Sequence, residues 1–370
     1  MRRISIEHLQ PGMIVARTVY SDDGFVLLSA GSVIKQRYIF QLEKFNVTAI
    51  YVEDSLIPDI EVEDVISEKT RIEAIKTVKE MLVTIKREAN SGRFLLVNSK
   101  KLAKTIQNII KDILSNKSLM VNLIDIRSTD SYTFGHSVNV AVLSILTGVA
   151  MGLSDSSLYQ LGIGAILHDV GKVLIPTEIL NKPAALTPEE YAVIKRHSEF
   201  GLSIVERHPN MNPLSKRIIY EHHEKFDGSG YPQGLKGPEI HPFSQIVGMA
   251  DMFDALTADR VYRKGFLPHE AYELLAGSGG KLFDYELLKV FLSNIAAYPV
   301  GTIVRLNTGE IGVVTFTPKG LSTRPNVRIL FQHDKKVKEP YELKLAENLR
   351  VLIEEVITDD EQIKKLKIVS

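Results

Sequence analysis

"LYQLGIGAILHDVGK", residues 158–172, decides how the chain is read. Leu158, Leu161, Ile163, Ile166 and Leu167 supply the buried side of a helix that ends on His168-Asp169. An imidazole and a carboxylate at such a helix end must leave water, which is costly unless a cation or hydrogen bonds compensate. Taken alone, the pair reads as a satisfied core histidine beside a capping aspartate.

Working outward, the pair has company. "SVNVAVLSILTGVAMGL", residues 137–153, is shorter than the roughly 20 apolar residues a membrane-spanning helix needs, and it contains serines, an asparagine and glycines. It reads as a buried core helix with His136 at its head. "IVGMADMFDAL", residues 246–256, sets Asp251 as a charge within another apolar helix. Three helices thus each carry a His or Asp into apolar surroundings. A divalent metal would resolve all three burial problems together. Further imidazoles follow at His197 and in "EHHEKFDGSGYPQGL", residues 221–235. Neighbouring side chains diverge by about 100° on a helix, so either one of His222 and His223 is incidental or the two address different centres. His8, His241, His269 and His333 read as surface or turn histidines, and His208, before Pro209, is set aside.

The whole chain bounds what surrounds these helices. Its 370 residues suggest two or three domains, and 44% apolar with 24% charged residues is ordinary for a soluble globular protein. Forty-five basic residues balance forty-five acidic ones, so no global field draws the chain to a DNA or RNA polymer or to an anionic membrane. With no cysteine, disulfides and thiolate metal sites are excluded, and a reducing cytoplasm fits. "MRRISIEHLQPG" lacks the apolar run of a signal peptide.

Four segments emerge. Residues 1–58 read as an α+β module, with "GMIVARTVY", "FVLLSAG" and "VTAIYV" as strands around the short helix "IKQRYIFQLEKF". Residues 59–125 form a helical linker or hairpin. Its stripes run through Ile72, Ile75, Val78, Leu82 and Ile85, then Leu102, Ile106, Ile109, Ile113 and Leu114. They suit either packing on the next domain or a homodimer seam. Residues 126–296 are helical throughout and carry nearly all the chemistry. Residues 297–370 turn to β texture in "TIVRL", "IGVVTF" and "NVRILF", before a charged tail expected to fray. The fold class is multidomain: an all-α catalytic domain between a small α+β module and a small β domain.

His136, then His168-Asp169, then Asp251 resembles the H…HD…D pattern of the HD phosphohydrolase superfamily. His197, the pair His222-His223, "HHEKFDGSGYP" and "ADMFDALTADRVYRKG" resemble its HD-GYP branch over roughly residues 126–270. The resemblance implies hydrolysis of cyclic di-GMP, to linear pGpG and on to GMP if the pocket rebinds the product. It implies that His136, His168, Asp169 and Asp251 hold one metal. Asp169 would bridge to a second metal held by His197 and His222, with His223 completing the cluster. Some family members carry a glutamate ligand for a third metal four residues before the first histidine. Here that position is Tyr132, a poor ligand for a hard cation, so two metals are expected. A donor set of N and O alone suits iron or manganese and permits zinc or nickel.

Two metals about 3.5–4 Å apart can lower the pKa of a bridging hydroxide and clamp both sides of an in-line displacement at phosphorus. Lys172 would neutralise the phosphoryl oxygens. Arg260 and Arg263 would fork onto a second phosphate or stack on guanine. Gly230, Tyr231 and Pro232 would shape a loop offering backbone amides to an anion and the phenol ring to a base, its two glycines free to take positive φ. Glu224 is expected to orient an imidazole, and Asp254 to be structural. Cyclic GMP-AMP is an alternative substrate. Alternative functions are a non-catalytic cyclic-dinucleotide receptor or signalling module, with protein partners, and another HD-type phosphohydrolase acting on nucleotides.

Overall fold

The computed structural model describes residues 1–21, 25–45, 47, 49–54, 63–90, 99–116, 120–121, 132–182, 184–208, 210–258, 265–333 and 335–358. The expected boundaries near residues 58 and 126, Arg260, Arg263 and the charged tail lie outside them.

The N-terminal module pairs β1 (Arg2–Ser5) antiparallel with β4 (Ala49–Val52), and β2 (Val19–Tyr20) with β3 (Val26–Leu28). Helix α1 (Gln36–Lys44) buries Ile39 and Leu42 against them. "GMIVARTVY" delivers a shorter strand than expected. Ile14 and Val15 make isolated bridges to Val33 and Val52 instead.

Helices α2 (Glu68–Asn90) and α3 (Ser99–Ser115) belong to the core of the helical domain. Val78, Leu82, Ile85, Leu102, Ile106, Ile109 and Ile113 are buried in one cluster with Ile145 and Leu161. The stripes that suited a dimer seam are therefore spent within the chain. Helix α4 (Tyr132–Ala150) lies at the centre, its residues Val138 to Leu146 buried on every face. Around it stand α5 (Asp155–Leu167), α6 (Thr177–Leu180), α7 (Pro188–Lys195), α8 (His197–Glu206), α9 (Pro213–Glu221), α10 (Pro242–Thr257), α11 (Pro268–Ala276) and α12 (Tyr285–Leu292). Among the described residues no helix is long and apolar enough to cross a membrane.

The C-terminal segment is an antiparallel sheet in the order β8-β7-β6-β5-β9. Its strands are β5 (Ile303–Leu306), β6 (Glu310–Phe316), β7 (Asn326–Gln332), β8 (Lys335–Lys344) and β9 (Ile353–Val356). Tyr51 of β4 packs into one apolar cluster with Ile303, Val313 and Phe331, so the two ends of the chain share a core.

Candidate metal centre

The site is assembled where helices end. His168 follows the last residue of α5 and His222 follows the last residue of α9. His197 opens α8 directly after Arg196 closes α7. Each donates its Nδ1–H to the backbone carbonyl three residues back, Ala165 at 2.7 Å, Ile219 at 2.9 Å and Ile194 at 2.7 Å. Carbonyls in the last turn of a helix lack an intrahelical partner, so the bond satisfies both groups. It also fixes the tautomer, leaving each Nε2 as a bare lone pair aimed inward. His136, in the second turn of α4, reaches the same state differently. Its Nδ1–H donates to Asp254 Oδ2 at 2.7 Å, and its Nε2 lies 3.1 Å from Asp251 Oδ1.

Close backbone approach brings these ends together. A Cβ on Gly171 would sit 1.9 Å from the His197 carbonyl oxygen, and one on Gly248 would sit 2.5 Å from that of His222. The first contact lays the 3-10 turn Val170–Leu174 on the start of α8, with Asp169 just before it. The second lays α10 against the end of α9, with Asp251 three residues further along α10.

The donors fall into two groups, His136, His168 and Asp251, and Asp169, His197, His222 and His223, whose ligand atoms lie within 4.8 Å of one another in each. Asp169 faces both. Its Oδ2 is 3.4 Å from His168 Nε2 and 3.7 Å from His136 Nε2, while Oδ1 is 3.5 Å from His197 Nε2. The expected divergence of His222 and His223 is wrong. The helix stops at Glu221, so His223 sits in a turn rather than 100° further round a helix, and the two ring centroids are 4.1 Å apart. Both histidines fall in the same candidate donor group, and His223 Nδ1 also lies 3.8 Å from Asp251 Oδ2 of the other.

A metal fits these residues on three observations. His168 Nε2 and Asp169 Oδ1 are buried and make no hydrogen bond. His197 and His222 point Nε2 at Nε2 across 3.3 Å, two lone pairs facing each other when both rings are neutral. Burial also holds those rings neutral. It lowers His197 despite the opposing Asp169 carboxylate, drives His222 well below the ordinary histidine value, and takes His223 down to about 3. The carboxylates go the other way. Burial raises Asp169, but Lys172 and His168 outweigh it and hold it well below the usual range. Asp251 likewise stays low because His136 and His223 overcome its burial. Neutral imidazoles and ionised carboxylates, all of N and O, make up a donor set for a divalent ion.

Lys172 donates to Asp169 Oδ2 at 2.6 Å and is itself partly exposed. Tyr231 stacks on His223 with centroids 4.7 Å apart, and burial pushes its phenol far above the ordinary value. The glycine-rich loop departs from expectation. Gly228 takes φ +81° but Gly230 does not, and Gly230 is small because the backbone of residues 223–225 runs against it. Glu224 orients no imidazole. Its carboxylate accepts the amides of Gln233, Gly234 and Leu235 at 2.6, 3.2 and 2.9 Å. Tyr231 N–H goes to the His223 carbonyl. These amides are consumed in folding the loop and are not offered to an anion.

Sequence reasoning missed two residues, Asn139 and Lys225, and read a third, Asp254, only as structural. Asp254, fully buried, orients a candidate ligand rather than only filling the core. Asn139, three residues after His136 on the same helix face, donates to Asp254. Lys225 lies half-buried over the Phe283 ring at 4.5 Å, its ammonium pKa lowered by burial against the pull of Asp251. The His136-to-Asn139 spacing was a usable signal, but nothing marked Lys225 within its loop.

Comparison with known proteins agrees with this geometry. Residues 110–287 match the HD domain family, and residues 303–365 match a KOW domain associated with the HD domain. A cyclic di-GMP phosphodiesterase of Pseudomonas aeruginosa is 31% identical over 72% of this chain and 63% of its own length. One from Thermotoga maritima is 39% identical over 44% of this chain and 45% of its own. A 3′3′-cGAMP-specific phosphodiesterase of Vibrio cholerae is 35% identical over 49% of this chain and 35% of its own. The chain thus spans less than two thirds of the length of these relatives. Residues 110–287 thus carry an HD domain, and the paired histidines and the Gly-Tyr-Pro loop within that helical unit resemble the HD-GYP branch.

Proposed function

We propose that this chain is a metal-dependent phosphodiesterase that hydrolyses cyclic di-GMP to linear pGpG. The observation that carries the reading is the convergence of inward lone pairs from His168 and His197 on the two oxygens of Asp169, with His222 facing His197 beside them and no hydrogen bond left to satisfy His168 Nε2 or Asp169 Oδ1. The names of the relatives support the substrate class.

Two divalent ions, iron or manganese, suit the two donor groups, His136, His168 and Asp251 for one and His197, His222 and His223 for the other, with Asp169 facing both. Such ions when bound supply an acidified water and neutralise charge at phosphorus. The protein's own residues prepare for that chemistry. Burial keeps His197, His222 and His223 unprotonated, and Lys172 places a cation beside Asp169, where a phosphoryl oxygen gaining charge would meet it. Lys225 adds a second, half-buried cation near Asp251. Arg260 and Arg263 would hold the second phosphate or a guanine. Gly230, Tyr231 and Pro232 would form the rim, with the Tyr231 ring set by its stack on His223. A chain without cysteine suits a reducing cytoplasm. A homodimer would use a face other than the buried stripes of α2 and α3.

The test is to offer metal-loaded protein equal amounts of cyclic di-GMP and 3′3′-cGAMP and follow both by chromatography. Preferential conversion of cyclic di-GMP to pGpG supports the reading. Binding of either without turnover would replace it with a receptor, and preference for 3′3′-cGAMP would change the substrate.

A further inference from the structure

Among the described residues, the oxygens of Asp254 accept from two partners. Oδ2 accepts the Nδ1–H of His136, and Oδ1 accepts the amide of Asn139 at 3.0 Å. Asn139 Oδ1 in turn accepts Arg71 Nη1 at 2.8 Å, and Arg71 Nη2 donates to Asp64 Oδ2 at 2.7 Å. Arg71 lies on α2, which contributes none of the donors in the metal groups, and Asp64 lies ahead of that helix. Beyond Asp64, at 3.9 Å, is Arg17 of the N-terminal module.

Every bond in this chain has one permitted direction. A guanidinium only donates, so Asn139 must turn its oxygen to Arg71 and its NH₂ to the Asp254 carboxylate. Asp254, fully buried, then receives a donor on each oxygen, and His136 is fixed with its proton outward and its lone pair inward. Without the guanidinium, the Asn139 amide is free to turn over and set oxygen against oxygen at Asp254. The buried carboxylate would lose a donor and its grip on His136 would loosen.

We propose that Arg71 is a positioning residue for the metal centre, acting through Asn139 and Asp254 on His136, so that α2 sets the affinity of one donor group. The proposal rests on the metal-binding reading above. Partners behind a ligating histidine typically contribute about 10–100-fold in metal affinity.

Titration of the metal-free full chain with Co²⁺, followed by its visible absorption, separates the alternatives. His136→Ala identifies the component that His136 supports. Arg71→Ala is expected to weaken that same component about 10–100-fold and leave the remaining signal in place. Arg71→Lys, which keeps the charge as a single point donor, should recover part of the loss. Asn139→Ala combined with Arg71→Ala should be no worse than Asn139→Ala alone, because the two act in series. Wild-type cobalt binding in Arg71→Ala overturns the proposal, even if its melting temperature falls, as does an equal loss of both components. Should Arg71→Ala fail to fold, unchanged cobalt affinity in Asn139→Ala overturns it. A wild type that binds no cobalt overturns the metal reading itself.

Discussion

His197 and His222 face each other Nε2 to Nε2 at 3.3 Å, each with its Nδ1–H already given to a carbonyl three residues back. Neither nitrogen can satisfy the other while both rings are neutral, and burial keeps them neutral. A divalent ion bound there would accept both lone pairs.

Metal should stabilise the fold. At free ion about 100 times the dissociation constant, a single site adds about 2.7 kcal/mol. Thermal melts across a Mn²⁺ series should move upward by several degrees and return with chelator. A melting temperature indifferent to both would contradict the site.

Gly171→Ala should disturb the site from its backbone. The added carbon would meet the His197 carbonyl oxygen at 1.9 Å, and backbone on both sides leaves little room to yield. Overpacking of this kind costs about 1–3 kcal/mol. The 3-10 turn would lift from α8 and carry Asp169 away from His197. Chemical denaturation should report the loss and metal titration a weakened site.

Glu224→Gln should loosen the Gly-Tyr-Pro loop. One amide oxygen cannot accept the three backbone donors that the carboxylate holds, and charged hydrogen bonds contribute about 1.5–3 kcal/mol. Hydrogen exchange at Gln233, Gly234 and Leu235 should accelerate, with weaker metal binding where Tyr231 no longer supports His223. Unchanged protection would mean the loop is held by something else.

The metal-free protein should lose stability in mild acid. The unfolded chain takes up protons on His197, His222 and His223 near their ordinary 6.5, while burial withholds them in the fold, to about 3 for His223. The unfolded state binds more protons across that window, so stability rises with pH through it and falls as pH drops. Asp169 and Asp251, held below their ordinary 3.8, add the same sign at lower pH. Urea midpoints between about pH 4.5 and 7.5 should climb with pH. A flat profile would contradict the burial assigned to these rings.

Much of this was legible in the chain. Apolar helices punctuated by His168-Asp169, Asp251 and His136 announced buried charge needing a partner, and the family resemblance named the seven side chains that the structure gathers into two candidate donor groups. The turn after α9 was not legible, because a helix pattern does not show where the helix stops, and the meeting of His222 with His223 depends on that stop. Asp254 and Glu224 were misread because their roles depend on partners far along the chain or on loop amides without side-chain signature. Strand β8, "KKVKEPYELK", hid behind its charges. It is a sheet edge with most side chains exposed, so no apolar alternation marks it. The apolar strands β5, β6 and β7 were plain for the opposite reason.

Metal content measured together with turnover tests the central claim most directly. Protein purified without oxygen should carry about two divalent ions per chain, one for each donor group, and convert cyclic di-GMP to pGpG. His168→Ala/Asp169→Ala should lose both properties, since Asp169 faces each donor group. A metal-loaded wild type that binds the dinucleotide and leaves it intact, or a double variant that still cleaves it, would contradict the account.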